Sequence, residues 1–163
     1  MRGAALASDA ELRGRIEDLL NDCAHAIDDG EFERWPEFFA EDASYKVITR
    51  ENFDAGLPMG IMYCEGRGMM SDRVMALRTA NIYEPHTYCH IHGRTRLVDC
   101  DETGVHARTN FTVIRTMQDG RMEIYAAGKY VDILADDGGR LLLRDRQVVL
   151  ESRRVDILLV FPI

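Results

Sequence analysis

The sequence has no Cys-x-x-Cys pair, no apolar run approaching the ~20 residues of a membrane-spanning helix, and no surplus of basic side chains. Each absence excludes something. Cys23, Cys64, Cys89 and Cys100 stand apart among eight methionines, which fits a reducing compartment and not a disulfide framework. The N-terminal apolar stretch is too short for a signal peptide, so the expected location is the cytoplasm, with no membrane as partner. The net charge of −8 disfavours nucleic acid and anionic lipid, which recruit basic surfaces. No repeat, low-complexity tract or linker interrupts the chain. Its 163 residues are read as one domain, 1–163, long enough for a proper core.

Two catalytic signatures are also missing. The Gly66-x-Gly68 pair lacks the rest of a dinucleotide fingerprint. No nucleophile-elbow spacing supports a Ser-His-Asp or Cys-His arrangement.

What is present is a change of period. Ser8-Asp9-Ala10-Glu11 has capping-box spacing. Leu12, Ile16, Leu19, Leu20, Cys23, Ala24 and Ile27 then recur as one helical stripe that Gly30 stops. A shorter helix is expected over about 32–39, with Pro36 tolerable only in its first turn. A strand is expected over 44–49, a loop over 50–58, a short strand over 59–65 and a third helix over 69–80. After Asn81 the period becomes two. Strands are expected at about 86–99, 105–117, 121–134 and 140–151, joined by Asp- and Gly-rich turns. Gly93 and Gly128 fall mid-strand, where kinks would let the sheet wrap. The expected fold is α+β: a curved, long-stranded antiparallel sheet wrapped around about three N-terminal helices.

Such a cone encloses a pocket or supports something else, and the candidate residues fit both. Asp42, at a helix-to-strand junction, would serve as a general base with Tyr45, His86 and His90, the set of a stand-alone dehydratase or isomerase. It would equally turn an acidic corner. His86, Tyr88, His90 and His92 share one strand face. His90 and His92 are spaced for one metal ion, but His86 and His90 stand about 13 Å apart on a strand, and no glutamate follows where a His-x-His motif wants one. Hydrogen bonding between the sheet and its neighbours is the plainer role. Arg144-Asp145-Arg146 and Arg153-Arg154 are read as solvated or interface charges. The segment from Val155 to Ile163 carries one charge in nine residues and must be buried, against its own domain or another subunit.

The order Asp29-Gly30-Glu31, Trp35-Pro36, Phe38-Phe39, Asp42, Tyr45 and Val47, then Asp72-Arg73-Val74, Asn81-Ile82-Tyr83-Glu84, His86, His90 and a Pro162-Ile163 ending, resembles the small (β) subunit of Rieske-type aromatic-ring-hydroxylating dioxygenases. The likeness runs over about residues 10–163. It is nearest to the terephthalate- and salicylate-type oxygenases, which act on aromatic carboxylates. The resemblance implies a nuclear-transport-factor-like (cystatin-like) cone and a structural, non-catalytic role. It implies a large (α) subunit that carries the Rieske iron–sulfur cluster and the mononuclear iron. It further implies trimeric self-association, three α plus three β subunits, and electron delivery by a reductase or ferredoxin. No cofactor, metal or catalytic residue is expected in this chain. A Rieske centre needs two Cys and two His in Cys-x-His and Cys-x-x-His pairs; here Cys89 is followed by His90 and His92, and Cys100 has no histidine three residues on. The apolar tail and the His86–Arg96 strand are the expected contact surfaces, and Asp42 is read as the corner-turning carboxylate.

Overall fold

The helical stripe of the sequence becomes α1 (Arg2–Asp28), whose Ile16, Leu20, Cys23 and Ile27 lie in the core. The computed structural model describes the backbone of residues 2–80, 82–154 and 159–163, and side chains from Ser8 onward within those ranges. Ser8 falls inside α1, so the capping box expected there does not begin the helix. The helix stops at Gly30, whose φ of 76° is cheap only for glycine, and Glu31 donates its N–H back to the Ala26 carbonyl at 2.8 Å.

Phe32–Phe38 winds as a 3-10 helix with Pro36 in its interior, not in its first turn. Proline lacks the N–H that would extend an α-helical ladder, so the element stays short and tight. It buries Phe32, Trp35, Pro36 and Phe38. Strand β1 (Phe39–Thr49) starts immediately, about five residues before the sequence pattern placed it. The next segment, expected to be a loop, opens with a one-turn helix, α2 (Arg50–Asp54). There the Thr49 hydroxyl accepts the Asn52 N–H, and Arg50 pairs with Asp54. Strand β2 (Met62–Glu65) leads into α3 (Gly66–Thr79), which buries Met70, Val74 and Leu77.

Five strands follow: β3 (His86–His92), β4 (Arg96–Asp101), β5 (Gly104–Met117), β6 (Met122–Asp137) and β7 (Arg140–Leu150). The long strand expected at 86–99 is two strands, broken at Gly93-Arg94-Thr95, and both pair with β5. The sheet order is β2-β1-β7-β6-β5-β3, with β4 also on β5. All neighbours are antiparallel except β1 and β7, which run parallel because the chain crosses the helices before returning. Register shifts within the β4–β5, β5–β6 and β6–β7 pairs mark bulges, which bend strands of this length. The sheet is curved and open, and its concave side holds α1, the 3-10 helix and α3, as the sequence implies.

Gly128 shows what the curvature requires. A Cβ there would stand 1.9 Å from the Val149 carbonyl oxygen of the neighbouring strand. That contact is backbone on backbone, so Gly128→Ala must push β6 and β7 apart. We expect a loss of about 1–3 kcal/mol in a denaturant titration. An unchanged midpoint would show that the close approach is not needed.

Candidate functional site

Inside the cone the alternation of each strand decides what faces the core. On β3 the inward positions are His86, Tyr88, His90 and His92, as their spacing requires. They meet the tail, α1 and the β5–β6 side chains in turn.

At the mouth, His86 stacks on Phe161, with ring centroids 4.5 Å apart and planes 25° from parallel, while its Nδ1 lies 2.8 Å from the Glu84 carbonyl. Phe161 also packs against Phe32, Tyr83 and Tyr88 at 4.7, 5.4 and 5.1 Å. Leu159 to Ile163 are all buried. The Arg73 guanidinium donates to the Leu159 carbonyl at 3.0 Å. The Tyr45 hydroxyl accepts the Ile163 N–H at 2.9 Å and reaches the Ile163 carbonyl at 3.1 Å. The described part of the apolar tail is thus packed into its own cone and not held out to a second subunit; residues 155–158 lie outside the described residues. A surface cleft of ≈ 360 Å³ remains beside it, lined by Asp28, Phe32, Tyr83, His86 and Phe161 among others.

Deeper in, Trp35, Phe39 and Tyr45 form an edge-to-face cluster at 5.0–6.1 Å. Burial pushes the Tyr45 phenol well above its usual range, against the pull of its bond to Ile163. The phenol is held neutral and bonded at both its donor and acceptor to the Ile163 backbone.

The next layer is polar. Asp28, at the end of α1, sits with Oδ1 2.6 Å from His90 Nδ1, and its Oδ2 accepts the His90 backbone N–H at 2.9 Å. Three helical turns earlier, Glu17 accepts the Thr95 N–H at 2.8 Å. Two carboxylates on one face of α1 therefore satisfy amides along the β3–β4 margin, where an open sheet edge would otherwise invite pairing. His92 lies edge-on to Tyr130 at 5.5 Å. Burial holds its imidazole well below the usual range, at about 4, and Arg146 lowers it further. A folded value below the unfolded one of about 6.5 means that the unfolded chain binds more protons between them. Stability therefore falls as pH drops from about 6.5 towards 4. We expect that slope to flatten in His92→Asn, measured by urea titrations across this window; an identical slope in both proteins would contradict the burial of a neutral imidazole.

At the base, Arg146 and Asp132 form a two-pronged ion pair, each prong 2.9 Å, with side chains 3% and 1% exposed. The guanidinium lies 3.9 Å from the Tyr130 ring, which stacks on Phe111 at 4.4 Å. Burial pushes the Asp132 carboxyl up while Arg146 draws it down. Arg146, expected among solvated charges, is instead in the core. Cys23 lies close enough to feel both charges, and burial pushes its thiol up to about 11. At neutral pH a thiol buried in this way stays protonated and is a poor nucleophile.

The structure does not assemble the acid–base set Asp42, Tyr45, His86 and His90. Asp42 is exposed, inside the irregular stretch of β1 between Phe39 and Ser44, and not at the helix corner. Tyr45 holds the tail, His86 stacks on Phe161, and His90 is bound to Asp28 with Tyr88 between it and His86. Sequence reasoning missed Asp28, Asp132 and the core position of Arg146. The strand alternation that buries Tyr130 and Leu134 also buries Asp132, so that signal was available.

The described residues do not fit an iron–sulfur cluster or a mononuclear iron. Cys89 points to the opposite face of β3 from both His90 and His92, Cys89 and Cys100 are exposed, and Cys23 and Cys64 are buried. Among the described residues no three His, Cys, Asp or Glu side chains converge to hold a metal ion. No described helix is long and apolar enough to cross a membrane.

These features define a filled cone, and comparison with known proteins places it. The family model for the ring hydroxylating beta subunit matches residues 23–156. The anthranilate 1,2-dioxygenase small subunit of Burkholderia cepacia is 37% identical over 97% of this chain and 98% of its own length. The terephthalate 1,2-dioxygenase terminal oxygenase component subunit beta 2 of a Comamonas species is 40% identical over 86% of this chain and 91% of its own. A crystal structure from Novosphingobium aromaticivorans, assigned as a beta subunit of an aromatic-ring-hydroxylating dioxygenase, superposes with a TM-score of 0.87 at 38% identity, covering 96% of this chain and 99% of that one. The chain belongs to the ring-hydroxylating dioxygenase beta subunit family. Membership makes it a small subunit of a terminal oxygenase, with a large subunit as its partner.

Proposed function

We propose that this chain is a structural, non-catalytic subunit of an oxygenase that hydroxylates an aromatic carboxylate or hydroxybenzoate ring in aromatic catabolism. The observation that carries this reading is the filled cone: Phe161 and Ile163 pack into its interior, Tyr45, His86 and His90 are each committed to a structural partner, and Asp42 is exposed away from them. The related small subunits of anthranilate and terephthalate dioxygenases support the substrate class. In this reading residues 1–163 form one domain in the cytoplasm, with no catalytic, cofactor or metal residue of its own. The Rieske cluster and mononuclear iron belong to the large subunit. Three large and three small subunits assemble, the small ones self-associating as a trimer, and a reductase or ferredoxin delivers the electrons.

Co-expression with a candidate large subunit tests it. The two chains should copurify with iron, and the complex should turn over its aromatic substrate. Asp42→Asn in the small subunit should leave kcat and KM within about twofold, because an exposed carboxylate set apart from Tyr45, His86 and His90 contributes nothing to a transition state in this reading. A large loss of kcat with assembly intact would return Asp42 to the chemistry.

A further inference from the structure

Where β3 stops and β4 starts, Gly93-Arg94-Thr95 leaves a cleft of ≈ 300 Å³ between the sheet and α1. Glu17 and Asn21, four residues apart, present one face of α1 to it. His92, Arg94, Thr95 and Thr109 line the sheet side. A volume of this order is at the small end of the range for small-molecule sites.

The floor is polar and buried. Thr95 and Thr109 are 2% and 1% exposed, and their hydroxyl oxygens lie 2.8 Å apart. Two hydroxyls carry two hydrogens, and their mutual bond uses one, so one O–H has no acceptor among the described residues. A buried donor left unmade is costly, and it calls for an acceptor from outside the chain. Glu17 Oε1 accepts the Thr95 N–H at 2.8 Å, which fixes the carboxylate and leaves Oε2 without a partner among the described residues. Arg94 and Asn21 are exposed and likewise have no hydrogen-bond or ion-pair partner there.

These groups select a ligand. A bare anion would face the Glu17 carboxylate, and a bare cation the Arg94 guanidinium. A carboxylate with an N–H or O–H donor beside it satisfies both ends: the carboxylate accepts from Arg94, Asn21 and the threonine floor, and the donor serves Glu17. The His92 ring is a flat wall, which suits a planar ligand.

We propose that this cleft binds a small aromatic acid bearing an amino or hydroxyl group, as an accessory binding site and not a site of chemistry. The cleft is built by this chain alone, so the inference goes beyond the oxygenase reading and does not depend on it.

An amide-resolved NMR titration of the full chain with 2-aminobenzoate tests this. The Arg94 and Thr95 amides and the Asn21 side-chain amide should shift saturably, with a Kd of about 1 mM or tighter. Benzoate lacks the donor for Glu17, and aniline lacks the carboxylate for Arg94; each should bind about tenfold more weakly. Arg94→Gln should weaken 2-aminobenzoate binding by about tenfold or more, the loss expected for a hydrogen bond to a charged group. Its unfolding midpoint should not change, because the side chain is exposed. Asn21→Ala, also at an exposed position, should weaken binding severalfold and serves if the first variant loses its fold. No saturable shift at millimolar 2-aminobenzoate, three probes that bind alike, or binding that either folded variant leaves unchanged would each overturn the proposal. Copurification of the unaltered chain with the large subunit reads out the small-subunit assignment separately, so the two failures are distinguishable.

Discussion

Asp132→Ala should lower the free energy of unfolding by about 3–5 kcal/mol, because it leaves the Arg146 guanidinium charged and unpaired in the core. Both groups are almost wholly buried, and the Tyr130 ring under the guanidinium compensates only in part. At about 2–4 °C per kcal/mol for a chain of this size, the melting temperature should fall by roughly 6–20 °C. The pair as a whole is a different matter. Replacing both members by apolar residues of similar volume, as in Asp132→Leu with Arg146→Met, should cost far less than the single change, since neither partner then carries an uncompensated charge. A single variant that loses under about 1 kcal/mol would show that water reaches the pair.

Phe161→Ala is the second large effect. The ring is 4% exposed and touches Phe32, Tyr83, His86 and Tyr88. Truncating a buried phenylalanine costs about 3–5 kcal/mol, from lost transfer energy and the cavity left behind. The loss should appear in a urea titration of the isolated chain. It should also loosen His86, whose ring stacks on Phe161, and so broaden its imidazole signals in NMR. A loss below about 1 kcal/mol would mean that the tail is not part of the cone.

The elements that were legible in the sequence are those written in local period. The α1 stripe of Ile16, Leu20, Cys23 and Ile27 reads at 3.6 residues per turn, and the β5–β6 and β6–β7 hairpins are announced by Gln118-Asp119-Gly120 and Asp136-Asp137-Gly138-Gly139. The burial of the tail was legible from its apolarity, but its place was not, because nothing local tells a chain segment which cavity it fills. The same holds for Asp28. A carboxylate in the last turn of a helix looks solvated until tertiary packing sets it against the His90 amide and ring 62 residues away. Arg146 was misplaced for a related reason: Arg-Asp-Arg looks like surface, yet strand alternation sends Arg144 outward and Arg146 inward, and only the β6 register supplies Asp132. The short helix at Arg50–Asp54 escaped because five residues carry too little period to read.

The central claim is that this chain contributes structure and not chemistry to an oxygenase. Its most direct test is single-turnover oxygenation of an aromatic carboxylate by the purified large subunit with and without this chain, alongside the chain alone. The account predicts no iron and no turnover in the isolated chain, and in the complex a single-turnover rate that Asp42→Asn and His86→Gln leave unchanged once assembly is matched. Turnover of any small substrate by the isolated chain, or loss of the single-turnover rate in a fully assembled His86→Gln complex, would contradict it.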